Sequence, residues 1–108
     1  MKHGGWFSVF LPLYDNGGRT IPATRFNQTE VELIGEFNGL TNFSEPTFVT
    51  KGSWKSRGIV YEDRHRIYAV FAEDINTARA YLSALKPKWK RRFRQEEILI
   101  VEMGVEVL

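Results

Sequence analysis

The chain has 108 residues, a formal net charge of +2 and no cysteine. That length fits one domain with a modest core, and the missing thiols exclude a disulfide framework, thiolate chemistry and cysteine-ligated zinc. Hydrophobic residues make up 43% of the chain and aromatics 14%, which excludes a disordered polymer. Not all of those rings fit one small core, so some are expected in a subunit interface or a ligand pocket. No stretch has the apolar length of a signal peptide or membrane span, so the expectation is a soluble cytoplasmic protein.

Trp6-Phe-Ser-Val-Phe-Leu-Pro-Leu13 reads as a first strand, apolar on both faces. Pairing should weaken at Pro12, which has no N–H to donate. Tyr14-Asp-Asn-Gly-Gly-Arg-Thr20 is a dense turn signal. Pro22 suits the first turn of a helix in which Phe26, Leu33, Ile34 and Phe37 recur at helical spacing. Asn38-Gly39, tolerant of positive φ, ends it.

From Leu40 to Ala72 the pattern is that of strands. Thr47–Thr50 and Ile59–Tyr61 flank Lys51–Gly58, where two glycines indicate a hairpin with Trp54 near its tip. The charged run Asp63–Arg66 marks either a bulge or an extension beyond the sheet body, and Ile67–Phe71 resumes as core strand. Asp74 is placed to cap a second helix. Its stripe of Ile75, Ala78, Leu82, Leu85, Trp89 and Phe93 continues past Pro87, so a kinked helix or two pieces in line are expected. Glu97–Val101 reads as a buried strand, and Gly104–Leu108 has the pattern of a short further strand.

The order β-α-β-β-α-β with right-handed crossovers gives an α+β, ferredoxin-like sandwich spanning 1–108 as one domain. Two helices cover one face of a four-stranded antiparallel sheet, with Trp6–Leu13 and Ile67–Phe71 as its central pair. The other face carries Phe, Val, Ile and Leu and needs cover. A homo-oligomer, most simply a dimer, is therefore expected through that face or through edge pairing by Gly104–Leu108.

The landmarks "LPLYDNGGR", "FNGLT", "GSW", "GIVYED" and "FRQEEILIV" occur here in that order. Their succession resembles a group of small bacterial proteins with a ferredoxin-like βαββαβ pattern. The resemblance covers most of the chain, implies the same fold, and brings no activity, cofactor or site residue with it.

The basic run Lys86-Pro-Lys-Trp-Lys-Arg-Arg-Phe-Arg94 holds six of the fifteen Lys and Arg residues; without it the net charge of +2 becomes −4, two minus six. Lys86, Lys88, Lys90, Arg91, Arg92 and Arg94 are candidates to track the phosphates of RNA or DNA. On a helical wheel, however, Trp89 and Phe93 join the apolar stripe, and the plainer reading is a solvated cationic face. Arg19 stands in a glycine turn where backbone N–H groups can form an anion nest. Asp15, at the end of the first strand, sits where certain metal-dependent CRISPR-associated nucleases of this fold carry an acid, so a Mg²⁺ enzyme is an alternative. Asp63 and His65 share a strand face, yet no third ligand or nucleophile accompanies them. The leading expectation is a non-enzymatic homo-oligomeric module holding a small molecule at or near the subunit interface, with Arg19, Trp54, Tyr61 and His65 as ligand contacts. No catalytic residue, metal ligand or cofactor is assigned.

Overall fold

The computed structural model describes residues 2–43 and 50–108, and the side chains among them except those of 50–52, 54, 56 and 59–63. Its elements are β1 (Lys2–Pro12), α1 (Ala23–Phe37), β2 (Thr41–Asn42), β3 (Thr50–Ser56), β4 (Ile59–Ala72), α2 (Ile75–Arg92) and β5 (Leu99–Val107). The strands are antiparallel in the order β2-β4-β1-β5, with β3 also on β4. β2 and β3 pair with successive stretches of β4, at Tyr68–Ala69 and Ile59–His65, so the five segments fill four positions. β1 and β4 form the centre, and the fold is the ferredoxin-like α+β sandwich.

Alternation along β1 sends Phe7, Val9 and Leu11 toward the helices, where they join Tyr68, Val70 and Ile98 in the core. β1 begins earlier than the apolar run does, and His3 lies in the ladder opposite Glu106. The reason is β5: Leu99–Val107 is one continuous strand, so Gly104–Leu108 extends it and gives Lys2–Gly5 a partner. β5 is also half-exposed rather than buried, with Leu99, Val101 and Met103 among the exposed large apolar residues. Close approach needs glycine at the start of β1. A Cβ on Gly4 would lie 2.4 Å from the Ala72 carbonyl oxygen, a backbone atom with little room to yield.

Asp63–Arg66 introduces no bulge. The register of β4 runs unbroken, with β3 as far as His65 and with β1 from His65 onward, so the charged run begins the hairpin's extension beyond the sheet body. The hairpin turn is only Arg57-Gly58, with φ of 51° and 80°, as a two-residue turn of primed type requires. Trp54 is consequently a strand residue paired with Tyr61, not a turn residue.

α1 buries Phe26, Thr29 and Leu33. Ile34, expected in that stripe, is 48% exposed because it lies about 100° around the helix from Leu33. Asn38 takes the left-handed conformation that ends the helix, with φ 62°. At the head of α2, Asp74 Oδ1 accepts from the Thr77 N–H at 3.0 Å. α2 then continues through Pro87, and Trp89 and Phe93 are 0% exposed, with Phe93 edge-to-face on Phe26 at 5.1 Å.

The two helices are tied at one carboxylate. Glu32 of α1 accepts from both Arg92 Nη atoms at 2.5 and 3.0 Å, from Trp89 Nε1 at 3.0 Å, and pairs with Lys88 Nζ at 3.1 Å. Burial pushes the Glu32 carboxyl up, but these bonds prevail and hold it at about 2 instead of 4.5. A carboxyl lowered in the folded state stabilises the fold above its unfolded value and loses that contribution as pH falls toward the folded one. The shift corresponds to roughly 3 kcal/mol at most. Glu32→Gln should therefore destabilise the protein by a few kcal/mol at neutral pH. It should also flatten the loss of stability between pH 4.5 and about 2. Denaturant titrations across that range check this; an acid limb unchanged by the substitution would refute it.

Candidate functional site

The helices leave the opposite face of the sheet open, and its residues fall into cross-strand rows. Phe71, Trp6 and Met103 form one row, Ala69, Ser8 and Val101 the next, and Ile67, Phe10 and Leu99 the third. None of the nine carries a formal charge. The middle row is small, so two bulky ridges flank a shallow trough that is closed at Ala69, 1% exposed, and opens toward Val101, 39% exposed. Phe43 reaches over from beyond β2 to meet Trp6 edge-on at 6.5 Å. Leu99 and Met103 are 56% and 54% exposed, unusual for large apolar side chains on a strand. Carried from Val105 to Pro12 across three strands, the face covers roughly 400 Å² by strand spacing and rise. That falls within the ~300–600 Å² of the largest apolar patch on a typical monomer, a patch that is often functional.

His65 belongs to this face, its ring edge-to-face with Phe10 at 5.8 Å. Trp54 and Tyr61 are paired across the hairpin, and their side chains lie outside the described residues. Arg19 stands elsewhere. It lines a cleft of about 220 Å³ with Asp15, Thr20, Ile21, Pro22, Arg25 and Arg94, bounded by the head of α1 and the end of α2. The four residues expected to contact a ligand are thus divided, with His65 on the open sheet and Arg19 beside the helices.

The Asp15 loop is closed by its own carboxylate. Oδ1 accepts from the N–H groups of Arg19 at 2.9 Å and Gly17 at 2.8 Å, while the Asp15 carbonyl accepts from Gly18 at 3.0 Å. The N–H groups expected to cradle an outside anion therefore hold an internal one. The Arg19 N–H is the leading cause that keeps the Asp15 carboxyl below its ordinary range. Among the described residues no group of three His, Cys, Asp or Glu is placed to hold a metal ion. Asp15→Ala should release the Gly17 and Arg19 amides to rapid hydrogen exchange, whereas Asp15→Asn, which keeps an acceptor oxygen, should preserve their protection. Equal protection in both variants would show that the turn closes without the side chain.

The basic run divides in the same way. Lys86 pairs with Glu97 at 2.8 Å, and Lys88 and Arg92 pair with Glu32. Among the described residues Lys90, Arg91 and Arg94 form no ion pair. Trp89 and Phe93 are fully buried, so neither offers a face on which a base could stack. No described helix is long and apolar enough to cross a membrane.

No family model matches the chain, and no curated protein matches it. Among solved structures, a phage SAM lyase in complex with S-methyl-5′-thioadenosine is similar in fold, with a TM-score of 0.65 and 10% identity. The match covers 99% of this chain and 92% of that one. At this identity the likeness bears on architecture, and it agrees with the ferredoxin-like arrangement. Sequence reasoning did not foresee that Arg25 and Arg94 join Arg19 in one cleft. The one local signal was the absence of glycine after α2, where the chain nevertheless turns left-handed at Arg94, φ 51°.

Proposed function

We propose that this protein is a small-molecule-binding module that assembles with a second copy of itself through the open sheet face, holding its ligand in the trough between Trp6 and Phe10. The observation that carries this reading is the charge-free apolar face on three adjacent strands. A second copy related by a two-fold axis brings no like charges together there and can cover the trough while leaving room for a ligand between the ridges. The trough suits a flat, mostly apolar ligand stacked on aromatic side chains. The structural neighbour was solved with S-methyl-5′-thioadenosine, whose purine is flat and whose methylthio group is apolar, so it is the first ligand to try.

Light scattering at tens of micromolar should give an oligomer. Leu99→Lys with Val101→Lys, at positions already exposed in the single chain, should give a folded monomer. A strictly monomeric wild type, or a doubly substituted chain that still assembles, would refute the assembly. Calorimetry with S-methyl-5′-thioadenosine should show saturable binding that Phe10→Ala weakens about tenfold or more, the loss expected for one buried aromatic contact. No heat at millimolar ligand would refute the choice of ligand class.

The nucleic-acid and Mg²⁺ alternatives have less behind them. The first is left with Lys90, Arg91 and Arg94 as its unpaired cations. The second relies on an Asp15 oxygen already bonded to the loop backbone.

A further inference from the structure

Three arginines from three separate segments meet at the cleft beside the helices. Arg19 comes from the loop after β1, Arg25 from the first turns of α1, and Arg94 from the residue after the end cap of α2. None of them forms an ion pair among the described residues. Arg25 gives one Nη1 donor to the Arg92 carbonyl, a neutral group, so its charge and the rest of its fork stay available. The walls are fixed before anything binds. Gln95 Nε2 donates to the Tyr14 carbonyl at 3.1 Å, joining the loop to the end of α2, and the Ile21 N–H donates to Leu13 at 2.9 Å.

Arg94 is the most telling of the three. α2 closes with the Gln95 N–H on the Lys90 carbonyl at 2.9 Å and the Arg94 N–H on the Arg91 carbonyl at 3.2 Å. That is the Schellman pairing, and it puts Arg94 at the left-handed position where glycine is strongly preferred. The backbone would be more stable with glycine there, but the cleft would then lack a guanidinium.

The charges sum simply. Three arginines less Asp15 leave two positive charges around a volume of about 220 Å³. That volume equals about seven waters at ~30 Å³ each, room for a phosphoryl group and part of its ester. A phosphate monoester carries close to two negative charges at neutral pH and presents oxygens in the geometry that guanidinium forks match. The head of α1, without a side-chain cap or an acidic residue in its first turn, adds positive potential on the same side.

We infer that this cleft is a binding site for a phosphate monoester dianion, gripped by Arg19, Arg25 and Arg94. The inference does not depend on the proposed assembly, since the cleft lies on the helical side of the sheet.

The test is a titration of the full chain with inorganic phosphate at constant ionic strength, followed by NMR of the arginine side chains and the Asp15–Arg19 amides. Saturable shifts are expected at all three arginines. Dimethyl phosphate, a monoanion, should bind at least about tenfold more weakly, and Arg19→Gln should weaken phosphate binding about tenfold or more, as the loss of a charge-assisted bond does. Arg94→Gly separates this site from a structural role, because it should raise the melting temperature of the ligand-free protein while weakening phosphate about tenfold. Unsaturable shifts, or affinities untouched by both substitutions, would overturn the inference. So would a single-stranded oligonucleotide that outcompetes phosphate at the same sites.

Discussion

The structure turns on the Glu32 carboxylate. Pro87 has no N–H for the Ser83 carbonyl, so α2 is weakest in backbone bonding where the basic run begins. Side chains compensate on its far side: Arg92, Trp89 and Lys88 all converge on Glu32 of the other helix. That knot carries the last turns of α2 down onto α1, which lets Trp89 and Phe93 close the core and presents the Arg92 carbonyl to Arg25. A run of sequence that looks like a uniform cationic stripe is thereby divided. Two of its six cations hold the helices together, Lys86 pairs instead with Glu97, and one of the remaining three is delivered to a cleft.

Much of the fold was legible because it is written in short-range periodicity. The apolar run Trp6–Leu13, the stripe from Ile75 to Phe93, and the caps at Asn38 and Asp74 each have a local cause, and each stands where that cause puts it. The sequence spreads the hairpin connection over Lys51–Gly58 because Arg57 carries no turn signature. Its positive φ is imposed by pairing of the flanking strands, with only Gly58 as a sequence cue. β5 reads as two strands, Glu97–Val101 and Gly104–Leu108, for a similar reason. A glycine there reads as a break, but it sits opposite Gly5 in an intact ladder.

The candidate sites differ in how much of them a sequence can carry. The open sheet face follows from topology: once two helices lie on one side, alternation alone says which residues of β1 and β4 are left bare. The arginine cleft follows from nothing local. Arg25 and Arg94 sit at opposite ends of two antagonistic patterns, a helix start and a helix stop, and they meet only because Glu32 and Gln95 fix the docking of α2. Before that docking is known, Arg94 is one more residue of a basic run and Arg25 one more exposed helical charge.

The distribution of charge then argues for a compact anion over an extended one. The whole chain has 15 Lys and Arg against 13 Asp and Glu, a surplus of two. The cleft alone, with Arg19, Arg25 and Arg94 against Asp15, accounts for that surplus, so the remaining twelve cations and twelve acids balance. A surface that tracks a nucleic-acid backbone needs cations spread along a line at the spacing of successive phosphates. Here three arginines surround one concavity, and only Lys90 and Arg91 of the basic run are left unpaired outside it among the described residues, too few to form such a line. A sequence pI near 9.0 says little about where this charge lies: three arginines are concentrated at one cleft, and the field there falls off within about a Debye length of ~8 Å in physiological salt.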